Sequence, residues 1–310
     1  MKFFKPKFWD KENYTFLALL LLPISIIYQF LFFIKIKMNQ KKEFSVPVIC
    51  VGNIYLGGTG KTPLSIKICE ILKNLNKNPA IVRKFYKGHD DEISLIKNKI
   101  KNIFTDNSRI KAINFAIENN FNTIILDDGF QDHSIKKNLN ILCFNEKQLV
   151  GNGLTLPAGP LRESLNSIKR SNIVFINGDR NENFEKKIKK LSPNTSIYYT
   201  KYLPLNIEKF KNKNYLAFAG ISNPKNFFDL LTENNLDIKE TISFPDHYQY
   251  TKKDMNKIFN LSKKNNLNLI TTEKDFYRLK NLGYNNVNYL NVELKVFQED
   301  RLIEELKGFL

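Results

Sequence analysis

A glycine-rich loop lies between a short apolar run and a stretch with helical periodicity. The apolar run covers residues 46–51, the loop reads Gly-Gly-Thr-Gly-Lys-Thr at residues 57–62, and the helical pattern follows at residues 63–75. Glycines let backbone N–H groups surround phosphate oxygens, and the start of a helix adds free N–H groups and a positive dipole end. This order of strand, loop and helix predicts a phosphate-binding loop on a parallel sheet.

We expect this loop to bind the phosphates of ATP. Lys61 is placed to reach the β- and γ-phosphates, and the hydroxyl of Thr62 is of the type that ligates Mg²⁺ in such loops. The strict pattern begins with glycine, whereas this chain has Tyr55 at that position. The predicted nucleotide-binding residues are Tyr55, Leu56, Gly57, Gly58, Thr59, Gly60, Lys61 and Thr62.

Two adjacent carboxylates follow a second apolar run. Residues 124–126 lead into Asp127, Asp128 and then Gly129. An acid at the end of a strand in the same sheet as such a loop commonly holds Mg²⁺. The same three residues also make an ordinary turn, so the assignment depends on the upstream loop. The metal ligands are predicted to be Thr62 with Asp127 or Asp128, and the sequence does not decide between the two acids.

Short apolar runs alternate with helical stretches along most of the chain. Strands are predicted at residues 46–51, 80–82, 123–126 and 141–144, and helices at residues 63–75 and 108–118. Together with the glycine-rich loop, this alternation predicts a P-loop α/β fold, a parallel sheet with helices on both faces. A stretch rich in Gly and Pro at residues 151–160 precedes a further α/β set. We therefore expect a phosphate-binding domain at residues 43–170 and a smaller α/β domain at residues 171–310 that completes the cleft.

The amino-terminal segment, residues 1–42, has a different character. Residues 13–34 carry no charged side chain and are mostly Leu, Ile or Phe. As a helix they would be roughly 33 Å long, about the thickness of a bilayer core. Lysines flank the run on both sides, and aromatic residues accompany the first set, which is typical of a membrane interface. We expect a membrane-associated helix that either spans the bilayer or lies in its interface. The alternative is an apolar helix docked on a soluble domain.

The net charge of +17 suggests a polyanionic partner, either nucleic acid or an anionic membrane surface. The lysines, however, are spread along the whole chain together with many asparagines. The sequence also lacks a basic patch interleaved with aromatic residues or a known nucleic-acid-binding motif. We therefore expect no nucleic-acid partner, and we interpret the charge as compositional, with attraction to anionic lipids adding to it.

Taken in order, these segments resemble the tetraacyldisaccharide 4'-kinases of lipid A biosynthesis. The matching motifs span residues 46–275 and include the loop just described. The others are Val51-Gly52-Asn53-Ile54, Asp127-Asp128-Gly129-Phe130-Gln131, residues 157–163, Phe244-Pro245-Asp246-His247 and Thr272-Glu273-Lys274-Asp275. The resemblance implies transfer of the γ-phosphate of ATP, with Mg²⁺, to the 4'-hydroxyl of a membrane-embedded tetraacyldisaccharide 1-phosphate. The product would be lipid IVA, made at the cytoplasmic face of the inner membrane.

The resemblance also implies which residues catalyse the reaction. The family's acidic motif after the second strand corresponds to residues 90–93, which places Asp91 at the position of the general base, with Asp90 as the alternate. His247 takes the position of its partner in a dyad, and Lys61 completes the catalytic set. The remaining assignments, to phosphate contact, substrate contact or a bridge between domains, are Glu92, Arg162 and Glu163.

A second class of protein stays open from the residues alone. It is a membrane-tethered nucleotide hydrolase that drives a conformational change in a protein partner. Such a protein would need no catalytic dyad, and it would consume ATP without producing a phosphorylated lipid. The kinase interpretation implies no obligate protein partner.

Overall fold

The computed structural model describes residues 5–11, 13–86 and 90–310, and of residues 90–92 it describes the backbone alone. Within this part of the chain the residues form two compact units. The larger unit comprises Lys5–Phe85, Asn102–Lys201 and Leu294–Leu310, and the smaller one comprises Tyr86–Lys101 and Tyr202–Glu293.

The secondary structure alternates between strands and helices, as the sequence predicts. The described strands are β1 (Val48–Gly52), β2 (Pro79–Lys84), β3 (Ile103–Asp106), β4 (Thr123–Asp127), β5 (Leu139–Asn145), β6 (Ile173–Asn177), β7 (Ser196–Pro204), β8 (Asn214–Ala219), β9 (Asp237–Ser243), β10 (Asn268–Thr272), β11 (Asn288–Leu290) and β12 (Val292–Val296). The described helices are α1 (Phe16–Met38), α2 (Lys61–Asn74), α3 (Asp90–Lys99), α4 (Arg109–Glu118), α5 (Glu182–Leu191), α6 (Pro224–Glu233), α7 (Lys252–Lys264), α8 (Glu273–Lys280) and α9 (Glu299–Lys307).

The larger sheet places β1 at its centre. Its strand order is β12-β7-β6-β5-β1-β4-β2-β3, and β1 pairs in parallel with both β4 and β5. All five residues of β1 are buried, as expected for a strand covered on both faces. The chain continues from β1 to strands on one side and later to strands on the other side. Ligands of open α/β sheets bind at such a reversal, beyond the carboxyl ends of the strands.

The smaller unit has its own parallel sheet, with the order β11-β10-β8-β9. Alternate residues of β8 belong to two different apolar clusters, because successive side chains of a strand point to opposite faces. Leu216 and Phe218 pack with Met255 of α7, and Tyr215, Ala217 and Ala219, which alternate with them, pack with Phe227 and Leu231 of α6. Helices therefore cover both faces of this sheet. The predicted fold class, parallel α/β with a second smaller α/β unit and an apolar amino-terminal helix, is confirmed.

The boundaries of the two units differ from the division expected at residue 170. Strand β6 pairs in parallel with β5, and β7 pairs with β6, so the larger sheet continues well beyond that residue. The Gly- and Pro-rich stretch at residues 151–160 is not a linker, since it packs within the larger unit. Helix α3 lies within residues 43–170, but it belongs to the smaller unit and packs there against α8. Which unit a segment joins depends on its pairing with segments that are distant in sequence, and a local change in composition does not reveal that pairing.

Helix α1 is long and apolar enough to cross a membrane by length and composition. It contacts the rest of the larger unit along one narrow stripe, in which Ala18 and Ser25 are fully buried and Tyr28 and Phe32 are partly buried. Successive positions in this set are seven, three and four residues apart, which is about two turns, one turn and one turn, and they therefore lie on one face of the helix. Large apolar side chains occupy most of the remaining surface and are exposed, namely Leu17, Leu19, Leu20, Ile24, Ile26, Ile27, Phe30, Leu31, Phe33 and Ile34.

Candidate active site

The glycine-rich loop connects the end of β1 at Gly52 to the start of α2 at Lys61. Gly60 precedes the helix with φ = 90°, and Gly57 has φ = 139°, conformations that glycine adopts without a steric cost. No side chain caps the first turn of α2 in the described residues, and the hydroxyl of Thr59 is buried there without a hydrogen-bond partner. Free helical N–H groups and an unused hydroxyl are suitable donors for phosphate oxygens.

Asp127, the last residue of β4, is completely buried and accepts three hydrogen bonds. The hydroxyl of Thr62 donates to Oδ2 and the hydroxyl of Ser65 to Oδ1, each at 3.0 Å. The guanidinium of Arg83 forms a short ion pair with Oδ2. Arg83 lies on β2 in direct register with Asp127, so the parallel pairing of β2 with β4 explains the contact. The carboxylate thus fixes the hydroxyl predicted to ligate Mg²⁺, and these hard oxygen donors suit that ion.

Asp128 is the point where several cations converge. Its Oδ1 lies 3.6 Å from Nζ of Lys61 and accepts a hydrogen bond of 3.0 Å from Arg162. Burial alone raises the pKa of this carboxyl, but Lys61, Arg162, Arg83 and Arg109 together hold the pKa of Asp128 well below its usual range. Asp128 is therefore an anion at neutral pH. Its backbone φ of 57° lies in the left-handed region, a strain that is common at functional sites.

Arg162 and Glu163 belong to a series of hydrogen-bonded polar side chains that begins at Asp128. Gln131 accepts a hydrogen bond from Arg162 at 3.3 Å, and its amide donates to Glu163 at 3.2 Å. Glu163 also forms a short ion pair with Arg170. Burial raises the pKa of Glu163 above its usual value, although Arg170 opposes the shift. The structure thus brings Lys61, Thr62, both aspartates, Arg162 and Glu163 into one connected network within the larger unit.

His247 lies in the smaller unit, in the loop between β9 and α7. Its backbone has φ = 54°, and its N–H donates to Oδ1 of Asp246 at 3.0 Å. Its Nε2 lies 3.4 Å from Nζ of Lys274, in the first turn of α8. The hydroxyl of Ser222 forms a short hydrogen bond with Asp246. Two motifs that are far apart in sequence, at residues 244–247 and 272–275, therefore meet at this imidazole.

Asp275, from the second of these motifs, has a structural role. Its buried carboxylate accepts hydrogen bonds from the N–H of Gly220, the hydroxyl of Tyr250 and the hydroxyl of Thr272, at 3.0, 3.0 and 2.7 Å. Arg278 pairs with it at 2.7 Å. Because every donor is supplied by the protein, the carboxylate fixes the start of α8 and thereby the position of Lys274.

The predicted base, Asp91, falls in the first turn of α3, which begins at Asp90. The side chains of Asp90, Asp91 and Glu92 lie outside the described residues. The backbone places them at the amino-terminal end of a helix in the same unit as His247. Their roles, and the choice between Asp90 and Asp91, stay predictions.

The model of one protein family, tetraacyldisaccharide-1-P 4'-kinase (LpxK), matches residues 17–310 of this chain. The chain belongs to this kinase family. It is 46% identical to a tetraacyldisaccharide 4'-kinase of Pelagibacter ubique and 35% identical to one of Rickettsia canadensis, covering 99% of this chain and 98% and 97% of those proteins. The crystal structure of LpxK from Aquifex aeolicus in complex with ATP is similar, with a TM-score of 0.72 and 26% identity. That match covers 94% of this chain and 99% of the Aquifex protein.

Membership of the kinase family confirms the resemblance inferred from the motifs, and it does not favour the alternative of a hydrolase acting on a protein partner. The sequence alone missed two cations of this candidate site. Arg83 pairs with Asp127, and Arg109 donates to the carbonyl of Asp128 at 2.6 Å and to Asp132 at 3.1 Å. Arg83 was detectable in principle, because it is the penultimate residue of β2, the strand that follows α2, and the carboxyl ends of parallel strands share one edge of the sheet. No local signal marks Arg109.

We expect the change Arg83→Met to destabilise the larger unit of this kinase by about 3–5 kcal/mol. The change keeps the side-chain volume but leaves the fully buried Asp127 without its counter-charge, which is costly in a protein interior. The measurement is the denaturation midpoint of the full chain in detergent. Arg180→Met is the matched control, because Arg180 pairs with Glu185 at the surface, where solvent screens the two charges and the loss of the pair should change stability little. Equal losses in the two variants would contradict the expectation.

Proposed function

We propose that this chain transfers the γ-phosphate of ATP to the 4'-hydroxyl of a tetraacyldisaccharide 1-phosphate and so forms lipid IVA. The observation that carries the proposal is the arrangement of Thr62 and Lys61 at the start of α2. Each is held by one carboxylate, Asp127 or Asp128, at the end of β4. This is the arrangement that phosphoryl transfer requires, and it occurs in a chain of the kinase family.

The phosphates of ATP bind over the loop at residues 57–62. Backbone N–H groups and the hydroxyl of Thr59 donate hydrogen bonds to the phosphate oxygens. Lys61, which contacts Asp128 in this structure, instead contacts the phosphate that is transferred. Thr62, whose hydroxyl is oriented by Asp127, would hold Mg²⁺. Asp127 or Asp128 would supply the carboxylate that completes the site. When bound there, Mg²⁺ would neutralise negative charge on the phosphates of ATP.

The acceptor hydroxyl loses its proton to a carboxylate. We assign this role to Asp91, with His247 as its partner. Lys274 beside Nε2 supports the pairing, because a cation there makes Nε2 an acceptor and leaves the proton of a neutral imidazole on Nδ1. Nδ1–H can then donate to a carboxylate and hold it in place. Arg162 contacts a phosphate group, and its neighbours Gln131 and Glu163 keep it oriented.

Helix α1 attaches the kinase to the cytoplasmic face of the inner membrane by lying in the interface. Its docked stripe is polar at the centre, where the hydroxyl of Ser25 donates to the carbonyl of Thr155 at 2.9 Å and Gln29 donates to the hydroxyl of Thr155 at 2.9 Å. Tyr28 donates to the carbonyl of Arg162 at 3.0 Å. A helix held along its length by a folded unit cannot be surrounded by lipid, whereas its exposed apolar side chains can enter one leaflet. The exposed lysines near its carboxyl-terminal end, Lys35 and Lys37, then face anionic lipids.

The decisive experiment supplies radiolabelled ATP, Mg²⁺ and a tetraacyldisaccharide 1-phosphate in mixed micelles, followed by separation of the lipids. We expect the label to appear in a lipid with one additional phosphate. Release of inorganic phosphate without a labelled lipid would contradict the kinase proposal and support the hydrolase acting on a protein partner.

Adding charge to the exposed side of α1 is expected to release the protein from membranes. Leu20 and Leu31 are 62% and 60% exposed, and burying one such side chain in lipid contributes roughly 1.5–3 kcal/mol. The double change Leu20→Glu/Leu31→Glu should therefore lower binding to anionic vesicles at least about 100-fold in a flotation assay. The control is Leu282→Glu, an exposed leucine of the smaller unit. Complete release of the wild-type protein by high salt would instead indicate a purely electrostatic attachment.

A further inference from the structure

Tyr55 occupies the position where the strict phosphate-loop pattern has glycine, and its side chain is completely buried. Its hydroxyl donates to Oδ1 of Asp10 at 2.7 Å. Nζ of Lys5 lies 2.6 Å from the same hydroxyl and 2.6 Å from Oδ2 of Asp10. Burial, reinforced by Asp10, raises the pKa of Tyr55, so the phenol remains a donor at neutral pH. Two residues that precede α1 thus bind the first position of the nucleotide loop.

The backbone of Tyr55 is fixed from the opposite direction. Its carbonyl accepts a hydrogen bond of 2.6 Å from Asn53, whose amide also donates to the carbonyl of Gly57 at 3.1 Å. The following N–H, of Leu56, donates to the carbonyl of Pro160 at 2.8 Å. Movement of the Tyr55 ring would therefore be transmitted to Gly57, where the glycine-rich part of the loop begins.

The segment that holds Tyr55 is itself docked. Residues 5–10, which we call the amino-terminal clasp, include a 3-10 turn at Lys7–Asp10. Trp9 is buried, and its indole donates to the carbonyl of Pro157 at 3.1 Å. The carbonyl of Trp9 accepts from the N–H of Asn152 at 2.7 Å. A Cβ at Gly151 would approach this carbonyl to 2.4 Å, so the close contact requires glycine there.

We propose that the amino-terminal clasp positions Tyr55 and thereby holds the nucleotide loop in the shape that binds phosphates. Tyr55 and Asp10 are then positioning residues, and the binding of ATP and the docking of the clasp stabilise each other. This reciprocity follows from thermodynamic linkage, since two events that share one conformation must raise each other's affinity equally. The inference rests on the proposed binding of ATP at this loop, and it adds a role in the nucleotide site for the residues that lead into the membrane helix.

The test uses the full chain in detergent micelles and the non-hydrolysable ATP analogue AMP-PNP with Mg²⁺. Tyr55→Phe and Asp10→Ala should each raise the dissociation constant by about tenfold, which corresponds to ~1.4 kcal/mol. Because both changes break the same hydrogen bond between Tyr55 and Asp10, the dissociation constant of the double variant should be little higher than that of the weaker-binding single variant. In turnover assays the loss should fall mainly on KM for ATP. Tyr14→Phe, at an exposed tyrosine a few residues after the clasp, is the matched control and should bind like the wild type.

The single tryptophan of the chain, Trp9, reports directly on the clasp. AMP-PNP should reduce the quenching of Trp9 fluorescence by acrylamide in the wild type, and Tyr55→Phe should increase quenching before the nucleotide is added. A merely structural role for Tyr55 predicts a lower denaturation midpoint with unchanged nucleotide affinity, and that result would overturn the proposal.

Two further outcomes separate this inference from the proposed function. If Tyr55→Phe does not fold, Asp10→Ala decides, because Asp10 is partly exposed and its loss removes no core packing; wild-type affinity in that variant overturns the inference. If the folded wild-type protein fails to bind AMP-PNP, that result contradicts the proposed function, on which the inference rests. If the wild-type protein binds AMP-PNP and both single variants bind it with the same affinity, only the proposed role of the clasp is contradicted.

Discussion

Replacing Lys61 with alanine should lower lipid phosphorylation by roughly 10²- to 10³-fold or more. The change removes a positive charge directed at the phosphate that is transferred, and the loss of one preorganised group of this kind has effects of that size. The fold should remain intact, because Asp128 keeps its hydrogen bond with Arg162 when Lys61 is absent. The loss should therefore appear in turnover and not in the denaturation midpoint.

The matched control for this change is Lys73→Ala, an exposed lysine in the last turn of the same helix, α2. It removes an equal charge from the same element at a distance from the loop, so its turnover should remain close to that of the wild type. Turnover is measured for both variants at saturating ATP and acceptor. A Lys61→Ala enzyme within about twofold of the wild type would show that the loop does not perform the transfer.

The elements of the larger sheet were predictable because their signals are local. The run at residues 46–51 became β1, the pattern at residues 63–75 became α2, and the run at residues 123–126 became β4. The domain boundary was not predictable in the same way. Strand β6 is apolar like any buried strand, and nothing in its own residues states that it pairs with β5 in the larger sheet.

The site shows the same division between local and long-range information. Motif spacing predicted that Lys61, Thr62, Asp127 and Asp128 belong to one site, because the loop and the acidic strand end each carry their chemistry in adjacent residues, and the structure places these residues together. The contacts of Arg83 with Asp127 and of Asp10 with Tyr55 join residues 44 and 45 positions apart. Such contacts follow from strand register and chain docking, which only the folded structure provides.

The proposed general base and its proposed partner are the other pair of residues with a large expected effect. Asp91→Ala and His247→Ala should each depress turnover by roughly 10²- to 10⁴-fold, the range for the loss of a general base. If His247 acts by orienting Asp91, the two residues work as a unit and their losses do not add. The double variant should then be little worse than the more damaged single variant. Affinity for ATP should change far less, because neither residue belongs to the phosphate loop.

The measurement compares turnover of both single variants and the double variant at saturating ATP and acceptor. Asp90→Ala is the control, since it removes the neighbouring carboxylate from the same helical turn. Lys274→Met tests the proposed orientation of the imidazole. This change removes the cation that lies 3.4 Å from Nε2 of His247. It should lower turnover less than His247→Ala does, and it should change the dependence of turnover on pH. Losses that multiply as independent effects would disprove the dyad, and damage confined to Asp90→Ala would transfer the role of base to Asp90. Either result would leave the phosphate loop and its kinase chemistry in place, because those rest on the contacts of Lys61 and Thr62 in the larger unit.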